Sequence, residues 1–189
     1  MSIEDNRYTI RRKVLSILGQ KFHIYDGQGT LIGFSKQKAF KLKEDIRFYT
    51  DETMTEEKLL IQARQVIDFA AAYDVVDSAT GAKIGACRRK GWTSMLRDSW
   101  EILDVNDQLI AKVQEDSAMM ALLRRFLSNL IPQRYHIDDT HGVRQANLRV
   151  RFNPIIYKMD IEIEADATVH RGLILATGIL LAAIEGRQH

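Results

Sequence analysis

The chain has 189 residues with 27 Lys plus Arg against 25 Asp plus Glu, a formal charge of +2 that demands neither nucleic acid nor an acidic membrane, and no nucleic-acid partner is expected. With 46% hydrophobic residues, two prolines, eleven glycines and no low-complexity tract, disorder and long linkers are excluded and residues 1–189 are expected to form a single domain. Cys87 is the only cysteine, which excludes an internal disulfide and a cysteine-based zinc site; with Glu4 and Asp5 at the start and no apolar h-region there, a cytoplasmic chain is expected.

The first element in chain order is a hairpin. Phe22-His23-Ile24-Tyr25, β-branched and aromatic, runs into Asp26-Gly27-Gln28-Gly29-Thr30 and then Leu31-Ile32-Gly33; Asp and Gly at the centre suit a self-bonded turn with positive φ. Further on, Leu59, Leu60, Ala63, Val66, Ile67 and Ala70 fit one face of a helix. Leu60-Ile61 and Val66-Ile67 equally suit an extension into the next hairpin, so the pattern leaves residues 59–70 open between helix and strand. The turn pattern returns, one residue longer, at Asp77-Ser78-Ala79-Thr80-Gly81 after Tyr73-Asp74-Val75-Val76, and again at Asp104-Val105-Asn106-Asp107-Gln108 after Trp100-Glu101-Ile102-Leu103. Next, Leu122, Leu123, Phe126, Leu127 and Leu130 recur at helical spacing behind Ser117 as N-cap, with Arg124 and Arg125 facing away and Pro132 as stop: a short amphipathic helix. A looser fourth turn is Asp139-Thr140-His141-Gly142-Val143. The copies lie 27 to 51 residues apart, which excludes a solenoid of fixed period and predicts a meander of hairpins.

The last element is apolar throughout. Thirteen residues from Gly172 to Ile184 carry no charge, and a helix over about residues 168–185 is predicted, with Gly186 placed as its stop. Thirteen residues reach about 20 Å, short of the roughly 30 Å of a bilayer core. Leu173, Ile174, Leu175, Ile179, Leu180, Leu181 and Ile184 cover every side, and a helix apolar all round must be enclosed. The expected fold class is therefore mainly β: a closed antiparallel β-barrel around a buried hydrophobic C-terminal α-helix, closure also removing the sheet's exposed edges.

The serial order Tyr8-Thr9-Ile10-Arg11-Arg12-Lys13, Phe22-His23-Ile24-Tyr25-Asp26, Tyr73-Asp74-Val75-Val76-Asp77 with Thr80-Gly81 and Ile84-Gly85, Trp100-Glu101-Ile102-Leu103-Asp104, and a closing apolar helix resembles the LURP-one-related family, whose fold is shared with tubby C-terminal domains and phospholipid scramblases. The resemblance runs over most of the chain, whose compactness is that of bacterial-type members, and rests on order, not on one motif. It implies about twelve strands, and a role such as binding phosphoinositides at membranes, moving phospholipids between leaflets, or plant defence. The proline-rich region and cysteine cluster described for scramblases have no counterpart in a chain with two prolines and one cysteine. Asp104-Val105-Asn106-Asp107-Gln108-Leu109 starts like a calcium loop, but Gln108 and Leu109 stand where a ligand and the turn glycine belong, so calcium is not expected there.

Few residues point to chemistry. Gly27, Gly29 and Gly33 are spaced one residue too widely for a dinucleotide loop and lead into a strand. His136 and His141 bracket Asp138 and Asp139, but these aspartates coincide with the fourth turn, and no metal is expected. Cys87 reads as a small buried residue, Trp100 as core and Trp92 as the freer tryptophan. His23, His170 and the serines form no nucleophile, base and orienter arrangement, so neither catalysis nor a cofactor is expected. The basic groups are the better candidates: Arg11 and Lys13, Lys36 and Lys38 with Lys41 and Lys43 beyond, Arg88, Arg89 and Lys90, and Arg124 and Arg125. Strand alternation gathers part of these onto one outer face suited to phosphate oxygens, although edge strands also carry lysine simply to prevent pairing. The expected function is a non-catalytic binding protein that recognises anionic phospholipid or another phosphate-bearing ligand, peripheral at a membrane. Scramblase-type lipid movement and a protein–protein interaction module are the alternatives.

Overall fold

The computed structural model describes residues 5–13, 20–37, 45–64, 71–90, 99–115, 133–151, 153 and 155–184. Its strands are β1 (Arg7–Lys13), β2 (Gln20–Asp26), β3 (Leu31–Gln37), β4 (Ile46–Tyr49), β5 (Glu57–Ala63), β6 (Ala72–Asp77), β7 (Lys83–Arg89), β8 (Trp100–Leu103), β9 (Leu109–Glu115), β10 (Arg134–Asp139), β11 (Arg144–Arg151) and β12 (Ile156–Ile163), followed by helix α1 (Arg171–Ile184). Each strand pairs antiparallel with its sequence neighbours, and β1 closes the barrel against β12, with Arg7 opposite Glu162 and Ile10 opposite Met159. The period-2 pattern sends Ile10, Phe22, Ile24, Ile61, Val75, Ile102, Ile137 and Ile161 inward, and all are buried. Residues 57–63 are strand, Leu59 and Ile61 facing the core and Gln62 exposed; residues 65–70 and the predicted amphipathic helix lie outside the described residues.

The four aspartate turns form with one geometry. Oδ1 of Asp26 accepts the backbone N–H groups of Gln28 and Thr30, that of Asp104 those of Asn106 and Gln108, and that of Asp139 those of His141 and Val143, all at 2.8–2.9 Å. In the longer second copy, Asp77 Oδ1 accepts from Ala79 and Thr80. The turn then needs a left-handed residue, supplied by Gly29, Gly81, Asp107 and Gly142 at φ 84°, 68°, 63° and 82°. A fifth copy, unread in the sequence, joins β4 to β5: Asp51 Oδ1 accepts from Thr53 N–H and Oγ1, and Met54 takes φ 56°. At each of the five the register shifts beside the turn, where the outgoing strand carries one extra residue, Ile32, Lys58, Ile84, Ile110 or Gln145, as a bulge. Since each joins an even strand to the next odd one, all five lie at one end of the barrel.

Helix α1 starts from that same end and fills the bore, every residue from Gly172 to Ile184 buried. It begins at Arg171, later than the predicted 168, because the preceding backbone is claimed elsewhere. Gln145 Oε1, itself buried, accepts the N–H groups of Thr168 and Val169 at 2.7 and 3.1 Å, and His170 Nδ1 caps the helix by accepting Gly172 N–H at 3.0 Å. Thr177 satisfies its hydroxyl on Leu173 O at 2.8 Å and meets Cys87 Sγ at 3.4 Å. Burial pushes the Cys87 thiol up to about 12, so it is a neutral packing group at neutral pH, and Trp100 stacks obliquely on Tyr73 within the core. Inside the wall, Gly33 admits the Phe48 ring: a Cβ there would lie 1.7 Å from Phe48 Cζ.

Leu180→Asp places an unpaired carboxylate in this bore and is expected to cost several kcal/mol, on the order of 3–5, in a thermal or urea melt. Gly33→Ala is expected to cost about 1–3 kcal/mol through displacement of Phe48. A wild-type melt for Leu180→Asp would disprove the enclosed helix.

Candidate functional site

Strand alternation splits the two basic runs of β1 and β7 between two surfaces. In β1, Arg11 points outward and its guanidinium lies 5.3 Å from the Tyr25 ring centre, while Arg12 points inward, is buried, and lies 5.2 Å over the Tyr157 ring. Lys13 holds the last register position of β1, opposite Ile156. In β7, Arg88 and Arg89 part in the same way. Arg88 donates from Nε and Nη2 to Glu101 Oε2 at 2.9 and 2.5 Å, and Lys90 Nζ reaches Glu101 Oε1 at 2.8 Å. Burial raises the Glu101 carboxyl, but the hydrogen bonds from Lys90 and Arg88 outweigh it and hold the group below its ordinary range. Arg89 shares the inward parity of Cys87, where its charge opposes the effect of burial that pushes the Tyr73 hydroxyl up to about 12.

The nine expected site residues are therefore not one surface. Arg11 and the Lys13 position lie on β1 and Lys36 on β3, with β2 between them, whereas Arg88, Arg89 and Lys90 belong to β7 and its end, across the barrel, two of them bound to Glu101. Lys38, Lys41, Lys43, Trp92, Arg124 and Arg125 lie outside the described residues.

What joins Arg11 and Lys36 is a set of cations that no local run announces. Across the six neighbouring strands β3, β2, β1, β12, β11 and β10, Lys36 stands opposite Lys21, Lys158 stands opposite both Arg11 and Arg151, and Arg149 stands opposite Arg134. Four directly opposed like-charge pairs thus cross an arc of about 24 Å, taking about 4.8 Å per strand. Cross-strand side chains sit about 5 Å apart, so each such pair opposes folding, with magnitudes of roughly 0.2–1 kcal/mol. Few carboxylates offset them among the described residues. Asp160 accepts Arg151 Nε and Thr9 Oγ1, Glu52 meets His23 Nε2 at 2.8 Å, and Glu162 lies 3.7 Å from Arg7. Over β10–β12 the stripe borders a groove of about 450 Å³ lined by Arg134, Arg149, Arg151, Asn147, Asp160 and Glu162 among others.

The other half of the barrel is compensated. Arg47 pairs with Glu57 at 2.7 Å and Lys58 with Glu56 at 2.6 Å. Arg64 and Lys83 hold Asp74 and Asp107 in a four-residue box: Arg64 Nη2 reaches Asp74 Oδ1 at 2.5 Å and Asp107 Oδ1 at 2.6 Å, while Lys83 Nζ lies 3.0 and 2.8 Å from the same atoms. The box ties the β8–β9 turn to β5–β7, and its hydrogen bonds from Arg64 and Lys83 bring the Asp107 carboxyl down to about 2. On the stripe's own side the histidine and aspartate group is engaged at the β10–β11 turn: Arg144 Nε binds Asp138 Oδ1 at 2.6 Å, and Asp139 serves its turn. Among the described residues, no cluster of three or more His, Cys, Asp or Glu is placed to hold a metal, and no helix is long and apolar enough to cross a membrane.

No family model, curated protein or solved structure matches the chain.

Asp107 generates a pH prediction. Its folded pKa, about 2, lies below the unfolded value near 4, so its contribution is complete above about pH 4 and is lost as pH falls toward 2. Asp107→Asn tolerates the positive φ and removes the charge. The stability gap between wild type and Asp107→Asn, followed by urea melts at stepped pH, is expected to be full at neutral pH and to narrow between about pH 4 and 2. A gap independent of pH over that window would show that the carboxylate charge contributes nothing.

Proposed function

We propose that the chain is a non-catalytic binding protein whose outer basic stripe recognises anionic phospholipid or another phosphate-bearing ligand, in keeping with its resemblance to LURP-one-related barrels. The observation that carries this reading is the set of four opposed like-charge pairs on six adjoining strands, facing away from a half-barrel whose cations are matched by carboxylates. A folded sheet does not gain from such an arrangement, whereas a bound polyanion or an anionic surface turns each repulsion into attraction. Near an anionic leaflet each cation is worth about 1 kcal/mol, so several acting together suffice for reversible peripheral attachment. The interior supports binding over lipid movement: α1 is enclosed on every side, and its fourteen residues reach only about 21 Å.

The test is co-sedimentation with neutral and phosphatidylserine-containing vesicles at low and physiological salt. Wild type is expected to bind only the anionic vesicles and to weaken as salt rises, since the screening length is about 8–10 Å at physiological strength. Arg11→Gln/Lys158→Gln is expected to lose most of this binding, and Lys58→Gln/Lys112→Gln, which removes the same charge from β5 and β9, to retain it. Equal loss in both variants would mean that net charge acts without a dedicated face, and binding indifferent to lipid charge would refute the proposal.

A further inference from the structure

We infer that the groove over β10–β12 is a phosphomonoester subsite in which Arg134 and Arg149 together grip one doubly charged phosphate. The inference rests on the reading of the stripe as an anion surface and narrows it to a place and a ligand class. The two arginines are directly opposed in register, are both exposed, and form no ion pair with a carboxylate among the described residues. Opposed residues of an antiparallel pair have Cα atoms about 4.5–5.5 Å apart, close enough for two long side chains to converge on one group.

The rest of the groove is already engaged. Arg151 is held by Asp160 through Nε, Glu162 faces Arg7, and Asn147 accepts Arg144 Nη1 at 2.6 Å while donating to Glu164 at 2.9 Å. Asp160 also stands opposite Arg149 in register but spends its carboxylate on Arg151 and Thr9, so Arg134 and Arg149 are the groove cations without an ion pair among the described residues. Two positive charges match a phosphate monoester, which carries about −1.5 to −2 at pH 7, better than a phosphodiester with its single charge. Two guanidinium forks also supply paired, planar N–H donors for the three terminal oxygens of a monoester, a geometry that the lysine end of the stripe at Lys21 and Lys36 lacks. The lysine end attracts anions in general, and the arginine pair selects among them. The chemistry is shared by a lipid bearing a terminal phosphate and by a free phosphate monoester.

The experiment compares phosphatidylcholine vesicles carrying phosphatidic acid with vesicles carrying phosphatidylglycerol at matched surface charge, with soluble glycerol 3-phosphate as competitor. Wild type is expected to bind the phosphatidic acid vesicles about tenfold more tightly, the worth of one extra charge-assisted contact. Arg134→Gln/Arg149→Gln is expected to abolish the preference, and Arg149→Lys, which keeps the charge and loses the fork, to reduce it. Lys21→Gln/Lys36→Gln is expected to weaken both lipids alike and keep the ratio. Competition by glycerol 3-phosphate supports the subsite with a free monoester as ligand; an intact preference without competition supports it with the lipid headgroup as ligand. Equal binding of the two lipids by wild type, or a preference that survives Arg134→Gln/Arg149→Gln in a protein with a normal melt, overturns the subsite and leaves the basic stripe standing. Absence of binding to either vesicle and to glycerol 3-phosphate overturns both.

Discussion

A helix without a polar face can exist in water only if something surrounds it, and the enclosure of α1 is the constraint on which the rest of this structure depends. One flat sheet covers one side of a helix; a sheet of twelve strands closed on itself covers all sides and leaves no edge. Closure then turns the apolar faces of the strands inward, with Arg12 and Glu115 as buried charged exceptions near strand ends, and β1, β6, β7 and β12 pack on α1. The few polar atoms in the bore are consistent with this. Thr177 returns its hydroxyl to its own helix, and Cys87 is held neutral by burial.

With the interior filled, contact with other molecules falls to the outer face. The turn end of the barrel is stitched by five aspartates that each spend a carboxylate oxygen on their own backbone, so these acidic groups serve local geometry. Carboxylates on the strands are spent unevenly. Glu101, Asp74, Asp107, Glu56 and Glu57 each hold one or two cations on the β4–β9 half, while on the β10–β3 half Asp138, Asp160 and Glu162 meet Arg144, Arg151 and Arg7 and a series of further lysines and arginines face one another. A protein with nearly balanced total charge thereby presents a strongly asymmetric field. The overall charge of +2 is uninformative for this reason: it averages two half-barrels of different character.

The fold was largely legible because its signals are local. Turn chemistry at Asp26, Asp77, Asp104 and Asp139, period-2 strands around them, and thirteen uncharged residues at the helix are all read within short windows. The misses are also instructive. The Asp51 turn carries Met54 where the others carry Gly or Asp, so the left-handed position shows no compositional mark. The start of α1 is set by Gln145, which is more than twenty residues away in sequence and claims the N–H groups of Thr168 and Val169. Residues 59–63 fit two periods at once, and pairing of β5 with β4 and β6 decided for strand.

The sequence by itself determined the architecture: hairpins that must share a core, and an apolar helix too short to span a bilayer that must be enclosed. Alternation within each basic run further required that part of the run face out and part face in, as Arg11 and Arg12 do. Only the tertiary structure decided which of them face out together. Arg88-Arg89-Lys90 is three consecutive cations, yet one register step turns Arg89 inward and Glu101 binds the other two. Lys21, Arg134, Arg149, Arg151 and Lys158 are each unremarkable in their own segments; hairpin register opposes Arg134 to Arg149 and Arg151 to Lys158, and closure of β1 on β12 joins them to Arg11 and the Lys21–Lys36 pair. Periodicity is a property of adjacent residues, whereas register is a property of paired strands and closure joins strands from opposite ends of the chain, and the charge pattern follows these two.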